Sequence, residues 1–399
     1  MSVQENEKRT AREIFDDIPF PLKIVVIVGT LFIAYTVYYL VYISMYVEKK
    51  DPKPALLRVI PNVASKGVFD PAIATDGKIS LMTLTNAYEA SEGFFGTNVA
   101  LAVSYKDCEG WGPLGILFES REDTLMGPDL KTPVAKGIWR AETAGIVYDP
   151  ADTGREWKAY GYRYFWSGSA PLARLYSVIV MRTASSPLDL KDWSREEWVF
   201  SSKPGTPPEP FASMVKGTHL NTLHPSLADV YFYARPSVTL VDGVLVMSLS
   251  AFVQGKETVD RVIMIASTDH GRSWRYLGTA LTDKDLPRIG EGLNRINGAS
   301  LFVQDDVLYI SFTLGNAESD STGAYVFAFD DAGTAKLSAQ EKTGALVPVS
   351  HVKTLRQPPS RLGGGNMAYA QSCGKGTVFS ESVNNQRFDL FFLPRAPVR

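Results

Sequence analysis

Cysteine occurs only twice in the 399 residues, as Cys108 and Cys373. That excludes a disulfide scaffold and a four-cysteine zinc site, and leaves a single bridge open. Histidine is almost as scarce, with 4 residues, and His219 and His224 have no close carboxylate pair with which to hold a metal. Neither sign of charge dominates: 41 basic and 43 acidic side chains leave a net charge of −2. A protein that grips nucleic acid with a broad basic face is therefore not expected. Gly363-Gly364-Gly365 lacks the Lys-Ser/Thr of a phosphate loop. No stretch after residue 47 is apolar for long enough to span a bilayer, and long helical periodicity is scarce. With 45% hydrophobic and 21% charged residues, wholesale disorder is excluded as well.

The beginning of the chain differs from the rest. Residues 1–19 are mostly polar or charged, and residues 24–47 carry no charge. At about 1.5 Å rise per residue such a run crosses a hydrocarbon core of about 30 Å with some tilt. Tyr35, Tyr38, Tyr39, Tyr42 and Tyr46 crowd its second half, as suits an interfacial belt. The competing reading, a cleaved signal peptide, has a shorter apolar core and a small-x-small cleavage site, which is not found here. The expected layout is a cytoplasmic-type tail over 1–23, a transmembrane helix over 24–47, a linker over 48–55 and one domain over 56–399. Basic residues flank the run equally, so their count does not orient it; a short N-terminal tail favours an extracytoplasmic domain.

That domain reads as short apolar or alternating runs bounded by Gly, Asp, Asn and Pro, the pattern of strands and hairpins. One phrase recurs five times: a polar residue opens an apolar strand, a turn follows, and a second apolar strand returns. It starts at Asp70, Glu142, Arg235, Asn297 and Asn366, at intervals of about 60 to 95 residues. Each unit has room for two more strands; in the third they are residues 261–267 and 275–282. Four-stranded units repeated radially make a β-propeller. The expected fold class is all-β, a five-bladed β-propeller preceded by one N-terminal transmembrane helix. The last unit is one strand short, and Leu56–Pro61 is the segment that closes the ring.

Between the third and fourth strands of the third unit stands Ser267-Thr268-Asp269-His270-Gly271-Arg272-Ser273-Trp274. It matches the Asp-box, S-x-D-x-G-x-[ST]-W, and looser versions run from Ser104 to Trp111 and from Thr183 to Trp193. The Asp carboxylate accepts turn N–H groups, Gly takes a positive φ and Trp packs between blades, so Ser267, Asp269, Gly271 and Trp274 are structural residues. The motif resembles that of sialidase-type propellers, and the opening phrases resemble the five-bladed arabinanase, β-xylosidase and invertase glycosidases. The likeness covers about Asp70 to Leu393 through short motifs only. It implies a general-base Asp in blade one, a pKa-tuning Asp in blade three and a general-acid Glu in blade four. Asp70 matches the base. Arg235 replaces the tuning Asp and Asn297 the acid, so two of three positions depart from the pattern. Glu142 is an extra carboxylate at the mouth, and Glu291 lies six residues ahead of the fourth phrase.

The candidate catalytic residues are therefore Asp70, Glu142 and Glu291. The candidate ligand-binding residues are Arg140, Arg235, Asn297 and Asn366, with the aromatics Trp139, Phe94, Phe95 and Trp166 for stacking on a sugar ring or anchoring a protein partner. Two functions stay open. One is a membrane-anchored propeller that binds a glycan or a membrane-protein partner without catalysis. The other is a glycoside hydrolase acting on a polysaccharide or glycoconjugate, with Asp70 as general base. The expected partners are the lipid bilayer, through residues 24–47, and a glycan or membrane protein, with no nucleic acid. No cofactor and no metal site are expected; a cation such as calcium in the channel stays open.

Overall fold

Two units make up the chain, Met1–Lys53 and Pro54–Arg399. The computed structural model describes residues 18–46, 55–57, 67–89, 95–105, 110–126, 132–166, 177–201, 218–253, 256, 258–317, 321–340, 342–353, 367–371, 376–383 and 387–398.

In the first unit, α1 spans Phe20–Tyr46. It begins four residues before the expected span, because Pro21 is tolerated in a first turn where its missing N–H has no partner to lose. Mean hydropathy over Phe20–Tyr39 is 2.0. Thr30 and Thr36 donate their hydroxyls to the carbonyls of Val26 and Phe32, each at 2.8 Å. Both polar groups are thus satisfied within the helix. By length and composition α1 can cross a membrane, and a signal sequence passes the same test.

The second unit is mostly β. The described residues hold 23 strands in four hydrogen-bonded sheets. The chain runs as antiparallel meanders: β2 (Gly67–Thr75) to β5 (Gly112–Phe118), with β3 (Ser80–Glu89) and β4 (Phe95–Ser104) between them; then β6 (Arg121–Met126), β7 (Pro133–Tyr148), β8 (Trp157–Trp166), β9 (Ser177–Ala184) and β10 (Glu197–Ser201), against which lies β11 (Thr218–His219). Next come β12 (Val230–Val241), β13 (Val244–Val253), β14 (Arg261–Ser267) and β15 (Arg275–Thr282). After them run β16 (Leu293–Gln304), β17 (Val307–Asn316), β18 (Gly323–Asp331), β19 (Lys336–Leu337) and β20 (Ser350–Lys353). The last are β21 (Ala368–Ala370), β22 (Gly376–Val383) and β23 (Arg387–Leu393). The two strands read from sequence at 261–267 and 275–282 coincide with β14 and β15.

The turns follow from their residues. Asp242 and Gly243, with φ of 49° and 77°, join β12 to β13 in a two-residue hairpin. Asp305 and Asp306, at 49° and 64°, do the same for β16 and β17. Two successive left-handed residues match the twist of the flanking strands, and Asp and Gly are among the residues that adopt them readily. Strands between turns are buried on both faces: β13 is buried from Leu245 to Phe252. A sheet of such strands needs a neighbour on each side.

The neighbours are consecutive in sequence, and the circle closes. Leu81, Leu101 and Phe118 of the β2–β5 sheet pack on Ala144, Ile146 and Val180 of the next. One large cluster then runs through β7–β10, β12–β15 and β16–β18. Phe302 and Val326 pack on Tyr369 and Phe379, and Val378 and Leu390 return to Val68 and Met82. β1 (Ala55–Leu57) pairs antiparallel with β23, Ala55 opposite Phe392, where the closing strand was expected. Residues 58–61 of that expectation lie outside the described residues. The C-terminal tail adds a second tie: Gln304 Nε2 donates to the Val398 carbonyl at 2.7 Å.

The turn between β14 and β15 holds two sheets together. Asp269 accepts from the N–H groups of Arg272 and Ser273 at 3.1 and 2.8 Å and from both serine hydroxyls, Ser267 at 2.8 Å and Ser273 at 2.6 Å. Burial alone would raise its pKa; the Ser273 and Ser267 hydrogen bonds outweigh that and lower it to about 2. Trp274 reaches across to Phe200 and Tyr160 of the preceding sheet, centroids 5.4 and 6.0 Å away. Beside it lies a buried ion cluster. Lys158, 0% exposed, bridges Asp149 at 3.1 Å and Asp152 at 2.9 Å. His270 Nδ1 is 3.0 Å from Asp149, and Arg272 is 2.7 Å from Asp152. Burial pushes both carboxyls up, but hydrogen bonds from His270, Lys158 and Arg272 hold them below the usual range.

Two outcomes are expected. Gly271 has φ +87°, and a Cβ there would stand 2.5 Å from the hydroxyl of Tyr160, a side chain that is 0% exposed. Gly271→Ala should therefore destabilise the protein by more than the roughly 1–3 kcal/mol of backbone strain alone, read by denaturant unfolding in detergent. Because the folded carboxyls of Asp149, Asp152 and Asp269 bind protons more weakly than unfolded ones, unfolding takes up protons. Their contribution is complete above the ordinary carboxylate range and is lost as pH falls toward about 2, the folded value for Asp269. Unfolding midpoints measured across that range should fall steeply, and less so for Asp269→Asn.

Candidate functional site

β2, β7, β12 and β16, with residues 367–369 at β21, line one cavity of about 320 Å³. Just ahead of the lining residues, four of these strands bulge. The extra residues are Asp70 and Pro71 in β2, Thr143 in β7, Arg235 and Pro236 in β12, and Asn297 in β16. Three of them are left-handed without being glycine: Asp70 at φ 52°, Thr143 at 40° and Arg235 at 54°. Such a conformation costs about 1–3 kcal/mol per residue and persists only where the surroundings enforce it. Proline fits beside two of the bulges because no ladder hydrogen bond is needed there.

Asp70 and Thr143 are buried, 5% and 2% exposed, and the threonine hydroxyl donates to the Asp70 carboxylate. The Thr143 N–H donates to Thr85 Oγ1 at 2.9 Å, and Thr83 donates to the Ala144 carbonyl at 2.6 Å. The β7 bulge is thereby tied to β3. Arg235 is half-buried and has no ion pair or hydrogen bond among the described residues. Asn297 is half-buried at its own bulge.

Arg140 and Glu142 stand just ahead of the Thr143 bulge. Arg140, 8% exposed, places its guanidinium 3.9 Å over the Trp166 ring and donates to the Tyr164 hydroxyl at 3.4 Å. Burial, and then the negative charge of half-buried Glu142, push the Tyr164 phenol well above its ordinary pKa, against the opposing charge of Arg140. Tyr88 is raised by burial and by Glu119. Its ring lies over Gly96, where a Cβ would meet it at 2.4 Å.

The remaining predicted residues divide. Glu291 is exposed, two residues ahead of β16. Trp139 is 2% exposed and packs on Phe165 and Trp198, centroids 5.5 and 6.2 Å away, so its ring belongs to the packing of its sheet. Trp166 is half-buried under Arg140. Asn366 and Phe94 lie outside the described residues, as do Cys108 and Cys373; Phe95 opens β4, with its side chain outside them. Ser267, Asp269, Gly271 and Trp274 sit at the opposite end of the strands from the bulges. Among the described residues no group of His, Cys, Asp and Glu is arranged to hold a metal ion. Thr143, Thr85 and Tyr164 were not among the expected residues. Thr143 is one residue beyond the Glu142 that opens the second phrase, a shift below what repeat spacing resolves.

Burial raises Tyr160, Tyr164 and Tyr233 far above the ordinary phenol value of 10.0. Titration of tyrosinate absorbance should therefore leave at least three of the 18 tyrosines protonated after the main transition. Tyr164→Phe should remove one from that late group.

No family model matches the chain, and no curated protein matches it in sequence. Among solved structures it is similar to the Hadza microbial sialidase Hz136, with 12% identity and a TM-score of 0.46 over 80% of this chain and 54% of that one. It is similar to Trypanosoma rangeli sialidase, with 12% identity and a TM-score of 0.46 over 86% and 57% of the two chains. It is also similar to the sucrose-6-phosphate hydrolase of Lactobacillus gasseri, with 11% identity and a TM-score of 0.47 over 86% and 60%. The chain thus spans little more than half the length of these sialidases.

Proposed function

We propose that this protein is a membrane-anchored, five-bladed β-propeller whose mouth binds an anionic glycan without hydrolysing it. The observation that carries this reading is Arg235. Its guanidinium is half-buried at a left-handed bulge and has no ion pair among the described residues. A planar fork of donors in such a place suits a carboxylate or sulfate oxygen pair. Trp166, capped on one face by Arg140, would supply an aromatic surface for a sugar ring. Two departures from the glycosidase pattern, Arg235 and Asn297, favour binding over hydrolysis. In this reading the bulged ends of β2, β7, β12 and β16 form the mouth, the residues from Ser267 to Trp274 form an Asp-box on the far face, and α1 spans the bilayer with the propeller extracytoplasmic.

Detergent-solubilised protein on an array of neutral, uronate-containing and sulfated glycans should prefer the anionic ones. Arg235→Met should weaken that binding by about tenfold or more, the scale of a hydrogen bond to a charged group. Equal binding to neutral glycans would sink the reading. For the anchor, alkaline carbonate should leave the protein in the membrane fraction with its N-terminus intact.

One observation keeps a second reading alive: Asp70 is a buried carboxylate at a strained bulge, in the place of the general base in the resembling glycosidases. Hydrolysis would need Glu142 or Glu291 as the acid. Release of reducing sugar that disappears in Asp70→Asn, with unfolding unchanged, is the expected result if that reading holds.

A further inference from the structure

Arg155 stands in the turn between β7 and β8, where the carboxylates around it are already taken. Asp152 pairs with Arg272 at 2.7 Å and with Lys158 at 2.9 Å. Arg155 is a third cation on that carboxylate and reaches it only at 4.0 Å, through Nε. Asp149 is occupied by Lys158 and His270. The Arg155 guanidinium makes no hydrogen bond among the described residues. Its side chain is 32% exposed, so a cation partly withdrawn from water stands without a close counter-ion.

Arg155 lines a cavity of about 600 Å³, the size of a small-molecule site. The cavity lies at the Ser267–Trp274 end of the strands, away from the bulges. Arg272 lines it too, with Met181, Trp198 and Trp274. Met181 and Trp274 are buried, and Trp198 is half-buried against Trp139. The apolar wall is therefore set by packing before any ligand arrives. Two carboxylates complete the lining. Glu196 is engaged by Arg163, whose Nε and Nη2 donate to it at 2.6 Å each. Glu197 is exposed and forms no ion pair with Arg155 or any other described residue. Their charge opposes a polyanion, while the uncommitted guanidinium calls for one negative group.

We propose that this cavity is a second binding site, for a small carboxylate with an apolar arm. The carboxylate lies on Arg155, and the arm lies against Met181, Trp198 and Trp274. A guanidinium matches a carboxylate with a planar fork of donors, and covering the arm removes apolar surface from water. The site is separate from the mouth and does not rest on the reading of the mouth given above.

The test uses the full-length protein in detergent, hydrocinnamate as probe and calorimetry against a detergent blank. Hydrocinnamate should bind saturably. Hydrocinnamamide, which lacks the charge, and acetate, which lacks the arm, should each bind about tenfold more weakly or worse. Arg155→Met should weaken hydrocinnamate by a similar factor, about tenfold or more. Arg155→Lys keeps the charge but not the fork, and should fall between Arg155→Met and wild type. A blocked dipeptide ending in phenylalanine offers the same groups. Tighter binding of the dipeptide than of hydrocinnamate supports the site with a chain terminus as the source of the carboxylate; the reverse order supports it with a free acid. Absence of saturable hydrocinnamate binding overturns the proposal. So does equal binding of acid and amide, or equal binding by wild type and Arg155→Met. Acid and amide are compared on wild type, so that comparison decides even where a variant fails to fold.

Discussion

Strands that are buried on both faces govern this molecule. A sheet built from them cannot face water on either side, so each sheet must be covered twice. Consecutive sheets cover one another, and β21–β23 join the sheet of β2–β5, where Val378 and Leu390 pack with Val68 and Met82. The two ends of the second unit are both tied in, β1 by pairing with β23 and Val398 by its bond to Gln304 of β16. Trp274 and the ions around Lys158 fasten one of the seams. The packing between sheets is what the backbone strain at the bulges is set against.

That strain is concentrated at the bulges of β2, β7 and β12. Asp70, Thr143 and Arg235 adopt conformations that an unsupported chain would leave. Thr143 and Arg235 are each followed by three or more buried residues of their own strand, so those bulges cannot relax without moving the strand. The result is a set of polar side chains at and beside the bulges: a carboxylate with a donor, a guanidinium without an ion-pair partner among the described residues, and a second guanidinium spread over an indole. Such preorganisation lowers the ordering cost of binding. It suits recognition of an anion, on the reading proposed above, at least as well as it suits chemistry.

The repeating phrase was legible because alternation, Asp-Gly turns and apolar runs are local properties. β14 and β15 lie where their sequences place them, and so does the closing strand at Leu56. The Ser267–Trp274 turn was legible for the same reason: its hydrogen bonds join residues a few positions apart. The bulges were legible only in part. Asp70, Arg235 and Asn297 stood at the start of the phrase, but Glu142 lies one residue ahead of its bulge. Bulges change the register by a single residue, and repeat spacing is too coarse to place them. Trp139 and Trp166 look alike in sequence, and only their neighbours separate a packed indole from one beneath a guanidinium.

The sequence by itself determined the apolar N-terminal helix, the order of strands and hairpins, the tight turn with Asp269 at its centre, and the absence of an acidic residue at Arg235 and Asn297. These follow from residue type and short-range spacing. Tertiary structure alone decided that Thr143 meets Asp70, 73 positions apart, that Thr85 and Thr83 brace the bulge, and that Arg140 lies on Trp166. Those contacts form between neighbouring sheets or across a ladder, where distance along the chain carries no information about distance in space.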